Sequence, residues 1–172
     1  MKVVAIVQAR MGSTRLPNKV VKPITGKPMI ELLLKRLAQA NEIDQIIVAS
    51  SEDKKNDQLE LLVNQLGYEC YRGSENDVLS RFYHVADSVR ADVVVRITGD
   101  CPLVDPDLVD QCVKRYKDAS VDYFSNTNPP TFPDGLDIEV FSFSALEIAH
   151  KEVVSTFDRE HVTPYLRNHK QF

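Results

Sequence analysis

The apolar run Val3-Val4-Ala5-Ile6-Val7, and the loop from Gln8 to Lys19 that follows it, constrain this chain more than any other segment. An unbroken apolar run of that length reads as a parallel strand buried on both faces. Such a strand needs helices on both sides of its sheet. The loop reads Gln8-Ala9-Arg10-Met11-Gly12-Ser13-Thr14-Arg15-Leu16-Pro17-Asn18-Lys19. Gly12 lets backbone come close to a ligand. Ser13 and Thr14 add hydroxyl donors, and Arg10, Arg15 and Lys19 add positive charge. Arginine forks onto phosphate oxygens, while lysine acts as a point charge. The familiar phosphate loops do not fit. No G-x-x-x-x-G-K-[ST] or G-x-G-x-x-G spacing is present, and Pro17 interrupts the segment. A solvated basic loop after an edge strand is the other reading of the same charges.

Helical and strand patterns alternate beyond this point. Pro28 to Ala40 carries Met29, Leu33, Leu34 and Leu37 on one helical face. Gln45 to Ser50 predicts a strand, Asp53 to Leu66 a helix stopped at Gly67, and Tyr68 to Tyr71 a short strand. Asn76 to Val89 predicts a helix and Asp92 to Ile97 a strand. Asp105 and Pro106 open a helix that runs to Tyr116, as N-cap and first helical residue. Val121 to Phe124 and Leu136 to Phe141 predict strands, and Ser142 to His150 and Thr156 to Asn168 predict helices. Repeated β-α-β units imply a doubly wound α/β fold with a mostly parallel sheet. Ligands bind such sheets outside the carboxyl ends of the strands. The first loop and the Gly99-Asp100 loop both follow strands, so both belong at that edge. The proline-containing stretch Asn126 to Asp134 reads either as a lid or as an ordered surface loop.

The stretch Ala9 to Lys19, A-R-x-G-S-x-R-L-P-x-K, resembles the signature loop of sugar-activating nucleotidyltransferases. It is most similar to the cytidylyltransferases, among them CMP-Kdo and CMP-sialate synthetases, and above all to the spore-coat polysaccharide cytidylyltransferases. Asn76 to Phe82 and Arg96 to Pro106 support the same branch. The resemblance implies a nucleotide-diphospho-sugar transferase fold, Rossmann-like, in one domain over residues 1–172. Members of the family run longer, which implies a C-terminal segment beyond Phe172.

Bulk properties narrow the partners. The 172 residues are 43% hydrophobic and 27% charged, with a formal net charge of −4. That balance argues against a nucleic-acid binder, which needs a basic excess. Cys70, Cys101 and Cys112 form no zinc spacing and no C-x-x-C, so reduced thiols in a cytoplasmic protein are expected. No apolar run is long enough to span a membrane.

Nucleotidyl transfer needs charge neutralisation on the polyphosphate, a divalent cation near the α-phosphate and an acceptor hydroxyl held in line. Arg10, Arg15 and Lys19 answer the first need. Gln8, Ala9, Gly12, Ser13 and Thr14 complete the expected nucleotide contacts. Asp100 is the candidate carboxylate for Mg²⁺, and the resemblance gives the aspartate at this point of the loop to the metal; a turn or capping role is the alternative. Asp105-Pro106-Asp107 could be the metal motif of a glycosyltransferase, but an N-cap followed by proline explains it more simply. Asp137 and Glu139 lie two apart in the expected strand and share a face. The resemblance to a D-G-L-D-x-E stretch puts Asp137 on metal or sugar; a solvated strand face is the other reading. Arg159 and His161, in the block Asp158 to Tyr165, are candidates for the acceptor. A lone helical histidine is more often structural. Ser74 and Arg81 are placed near the nucleotide by resemblance to CMP-Kdo synthetase.

The resemblance thus implies a Mg²⁺-dependent transfer of CMP from CTP to a sugar or sugar-acid hydroxyl, with release of pyrophosphate, for surface or spore-coat polysaccharide. The base rests on resemblance alone. Another nucleotide, or a nucleotide-sugar-binding module without transfer activity, are the rival expectations, and a homodimer is left open.

Overall fold

The N-terminal apolar run is the axis of the molecule. The computed structural model describes residues 1–13 and 15–169, so Thr14 lies outside the described residues. The chain runs through β1 (Val3–Gln8), a small hairpin of β2 (Pro23–Ile24) and β3 (Lys27–Pro28), α1 (Met29–Leu37), β4 (Gln45–Ser51) and α2 (Asp57–Gln65). It continues through β5 (Glu69–Gly73), α3 (Val78–Ser88), β6 (Val93–Thr98), α4 (Pro106–Ala119), β7 (Tyr123–Ser125) and β8 (Glu139–Ser142). It closes with α5 (Phe143–Glu152), α6 (Thr156–His161) and α7 (Pro164–Asn168).

The main sheet has the order β5-β4-β1-β6-β8-β7. β1 pairs in parallel with β4 on one side and β6 on the other, and β5 pairs in parallel with β4. β8 runs antiparallel to β6 and to β7. The doubly wound, mostly parallel sheet is therefore observed. Its residues explain the unbroken apolar run. Val3, Ala5 and Val7 pack into one core with α1, α2 and α4, through Leu33, Leu37, Leu59 and Val109. Val4 and Ile6 pack into the other, with Leu79, Phe82 and Val85 of α3 and Leu146 of α5. Side chains alternate across a strand, so a strand covered on both faces must be apolar at every position.

From β1 the chain winds outward through β4 to β5, then returns to the other flank of β1 as β6. The strand order reverses between β1 and β6, and a crevice opens at such a point beyond the carboxyl ends. Both expected loops leave the sheet there. Among the described residues no helix is long and apolar enough to cross a membrane.

Two expected elements differ. The strand expected from Leu136 begins only at Glu139. Asn126 takes over the pairing before it: its side chain accepts from the Ile138 N–H at 2.8 Å and donates to the Leu136 carbonyl at 2.7 Å. Asp137 thus lies ahead of the strand that Glu139 begins, although both residues line one cavity. The helix expected over Thr156 to Asn168 is two helices. Val162 has φ 72° and ψ −57°, and the Thr163 N–H bonds back to the His161 carbonyl at 2.9 Å, a tight γ-turn. Pro164 starts the second helix, where its missing N–H leaves no helical hydrogen bond unmade. The Val162 side chain is fully buried in the α3–α5 core, which holds this strained turn in place.

Candidate active site

A cavity of about 360 Å³ occupies the reversal point between β1 and β6. Seven of the expected residues, Gln8, Ala9, Arg10, Gly12, Ser13, Arg15 and Lys19, line it, together with Asp100. The loop is folded back on Met11, which is buried. The Met11 carbonyl accepts from the N–H groups of Ser13 and Asn18, and its own N–H donates to the buried Asn56 side chain at 2.8 Å. Asn56 also donates to the Ser51 hydroxyl at 2.7 Å, tying the loop to the end of β4. The two strand exits are pressed together at Gly99. Its N–H donates to the Gln8 carbonyl at 2.7 Å, and a Cβ there would stand 2.7 Å from that oxygen and 2.8 Å from the Ala9 Cβ. Only glycine admits this approach without a shift.

Charge in this cavity is arranged in pairs. Lys19 donates from its ammonium to Asp100 at 2.6 Å. Burial would raise the Asp100 pKa, but Lys19, the Thr98 hydroxyl and its own backbone N–H outweigh it and hold the carboxyl below its ordinary value. Arg10 donates to Glu75 at 2.7 Å. Glu75, behind the loop, is likewise lowered: burial opposes, while Ser51, Arg10 and the nearby Arg81 pull down. Arg81 is 1% exposed, packs its stem against Gly73 and donates to the Ala49 carbonyl at 3.4 Å. Its Nε and Nη2 are buried with no hydrogen-bond partner among the described residues. Burial lowers its pKa, with Glu75 pulling the other way.

A second cavity of about 290 Å³ adjoins the first; Thr98 and His161 line both. Its walls come from the antiparallel side and the C-terminal helices. They include Arg96, Asp137, Glu139, Phe157, Thr163 and Arg167. The break at Val162 brings this about, because it lets His161 end one helix while Thr163 and Arg167 enter with the next. Phe157 is 60% exposed, and its ring lies 4.4 Å from that of His161.

The sequence matches cytidylyltransferases over residues 4–172. The chain belongs to the cytidylyltransferase family. This cytidylyltransferase is 44% identical over 166 residues to the uncharacterized protein MJ1063 of Methanocaldococcus jannaschii, covering 96% of this chain and 67% of that one. It is 37% identical over 169 residues to the spore coat polysaccharide biosynthesis protein SpsF of Bacillus subtilis, covering 95% and 69%. The structure of a cytidylyltransferase from Leptospira borgpetersenii superposes with a TM-score of 0.95 at 34% identity, over 100% of this chain and 74% of that one. The chain is therefore a nucleotidyltransferase, as the resemblance of its first loop implies.

Three expected site residues of this cytidylyltransferase, Arg159, Ser74 and Arg81, line neither cavity, and a fourth, Glu139, lines the second with its oxygens already engaged. Glu139 is buried, and both its oxygens are taken, one by Arg96 and one by the Tyr123 hydroxyl at 2.6 Å. It faces the second cavity as half of a buried ion pair, not as a free ligand. Arg159 points away from both cavities. Its Nε donates to Asp77 at 2.7 Å and its Nη1 to the Val153 carbonyl at 2.7 Å, clasping α6 to the start of α3. Ser74 is exposed and accepts from the Asp77 N–H at 3.2 Å, outside the residues that line the first cavity. Arg81 lies beneath that cavity, not on its wall. Asp105 caps α4 by accepting from the Leu108 N–H at 3.0 Å, which removes it from any metal motif. Sequence reasoning missed Glu75, Asn56 and Glu160. Only Asn56 had a local signal, as a polar residue at the mouth of a helix.

For a hard cation the donor set is suitable. Asp100 and Asp137 offer carboxylate oxygens. Asp137 has no hydrogen bond or ion pair with another described residue. Burial first, then the negative charges of Asp134, Glu139 and Asp100, raise its pKa against the pull of Arg96. A carboxylate so placed gains from a divalent cation. Among the described residues no three His, Cys, Asp or Glu side chains gather for a metal. Two carboxylates with phosphate and water make a magnesium-type set. The cysteines are unpaired, and burial pushes the Cys70 and Cys112 thiols up to about 11.

Proposed function

We propose that this cytidylyltransferase moves CMP from CTP to a sugar or sugar-acid hydroxyl, in a Mg²⁺-dependent reaction that releases pyrophosphate. The observation that carries the reading is the junction of the two cavities at Thr98 and His161. One cavity is walled by the cation-bearing loop, and the other has room for a small polar acceptor. The α-phosphorus belongs at the junction, the pyrophosphate on the loop and the acceptor against Asp137, Phe157 and Arg167.

Arg10, Arg15 and Lys19 neutralise the phosphates and stabilise the charge that develops on the leaving pyrophosphate. Arg10 is oriented for this by Glu75. Asp100 and Asp137 would hold Mg²⁺, which when bound polarises the phosphate oxygens. The acceptor hydroxyl forms the new P–O bond as the bond to pyrophosphate breaks, and the hydroxyl proton leaves to solvent or a neighbouring base. The product would serve a surface polysaccharide, in the cytoplasm.

The test begins with CTP, UTP, GTP, ATP and dTTP, each with and without Mg²⁺, read as a thermal shift. Ligand at about 100 times its dissociation constant adds roughly 2.7 kcal/mol. For a domain of this size that is a rise of roughly 5–10 °C. A shift for CTP with Mg²⁺, followed by pyrophosphate release in a screen of acceptor sugars, is the expected result. A larger shift for another nucleotide would overturn the choice of base.

A further inference from the structure

Two of the three cations on the first loop are tied to carboxylates, and the two ties differ in kind. Arg10 is held by Glu75, which does not line the cavity. That pair can persist when Arg10 meets a phosphate, because Nη1 alone is given to Glu75 and the other guanidinium N–H groups remain to donate. Lys19 is held at 2.6 Å by Asp100, and both groups line the cavity. A polyphosphate draws on the ammonium, and a divalent cation draws on the carboxylate. The backbone at Lys19 stays put, since Val20 beside it is buried in the core. The flexible four-carbon stem lets the ammonium move alone.

We propose that Lys19 is a place-holder for the divalent cation at Asp100, released by the nucleotide's phosphates. The proposal rests on the assignment of Asp100 to the metal. Lys19 and the metal compete for one carboxylate, so metal alone binds weakly. When a triphosphate takes the ammonium, the carboxylate is freed where the metal is needed. Nucleotide and metal therefore bind with a coupling beyond their own chelation, and the site does not load with metal before nucleotide. Arg15, which lines the same cavity with no ion pair among the described residues, adds to the local field without blocking Asp100.

The experiment is a Mn²⁺ titration of the full chain without nucleotide, with free Mn²⁺ read by electron paramagnetic resonance. The variants are Lys19→Met, Lys19→Gln, Arg15→Met and Asp100→Asn, each checked for an unchanged circular dichroism spectrum. The expected result is about fivefold tighter Mn²⁺ binding in both Lys19 variants. Arg15→Met should change it less than twofold, and Asp100→Asn should lose it. Equal tightening in Arg15→Met would mean a general field effect and would overturn the proposal. Unchanged binding in the Lys19 variants, with loss in Asp100→Asn, would overturn the place-holder and leave Asp100 as ligand. Unchanged binding in Asp100→Asn would remove both.

Discussion

The two cavities share Thr98 and His161 yet are built in opposite ways. The first is walled mainly by one continuous loop and the end of a neighbouring parallel strand, with Val78, Glu160 and His161 of two helices closing it. Its cations come from within ten residues of each other, Arg10 to Lys19. The second is walled by residues from β6, the segment before β8, and two short helices broken at Val162. Two of its charges, Arg96 and Glu139, are spent on each other as a buried pair. The contrast shows how a parallel sheet divides labour. Strand-to-helix loops at the reversal point make a charged, exchangeable site. The antiparallel edge makes a wall in which Arg96 and Glu139 hold each other in place and Asp137 is left with no hydrogen bond or ion pair to another described residue.

The sharpest break of this comparison is Asp100→Asn. If Asp100 is an exchangeable ligand, metal-dependent turnover falls by about 10²–10³-fold, in the range seen on losing one charged stabilising contact. The melting temperature stays within a few degrees, because the Lys19–Asp100 pair is half exposed and such pairs add little stability. Steady-state pyrophosphate release with CTP and an accepted sugar measures it. Turnover near normal would take Asp100 out of the metal role.

Glu139→Ala tests the opposite claim. Removing it leaves Arg96 buried without its counter-ion, and breaking a buried pair this way costs about 3–5 kcal/mol. Urea denaturation should show that loss at neutral pH. Glu139→Gln keeps the shape and an acceptor for the Tyr123 hydroxyl, and should lose less. If Glu139 were a substrate ligand instead, Glu139→Gln would leave stability alone and raise only the acceptor KM. That outcome would erase the distinction between the two walls.

The same contrast governs what could be read from sequence. β1 and its loop were legible because burial on both faces leaves a local mark, five apolar residues in a row, and the loop's chemistry is contiguous. Gly99-Asp100 was legible as a second loop leaving a strong strand. The second wall was not. Glu139 and Asp137 sit two apart and looked equivalent. Arg96 and Tyr123, distant in sequence, set them apart by taking both oxygens of Glu139 while Asp137 has no such partner among the described residues. Arg159 looked like a site residue because it lies among ionisable neighbours, but its partner Asp77 is 82 residues away. Val162 gave no sign of a turn, since a β-branched residue rarely takes positive φ. Glu75 is an ordinary acidic residue in a loop until the fold brings Arg10 and Arg81 to it.

The smallest expected effect separates structure from function altogether. Asp110, on α4 and in neither cavity, is buried and accepts from the N–H groups of Asn41 and Glu42 at 3.0 and 2.8 Å and from the Asn41 side chain at 3.0 Å. Burial would raise its pKa, but these bonds, with the charge of Lys114, bring it below the ordinary value. A group lowered on folding stabilises the fold above its unfolded pKa of about 3.9, and the benefit is lost as pH falls through the folded value. Asp110→Asn keeps the shape but weakens these bonds and turns one acceptor into a donor. It should cost about 1–2 kcal/mol at pH 7, with turnover per folded molecule unchanged. The gap from the parent protein should narrow below about pH 4, because the parent is by then losing the same stabilisation. Urea melts at pH 7 and pH 3 measure both points. A gap constant with pH would mean that the Asp110 charge contributes nothing, and a fall in turnover would tie α4 to the site through its packing against α1 and the sheet.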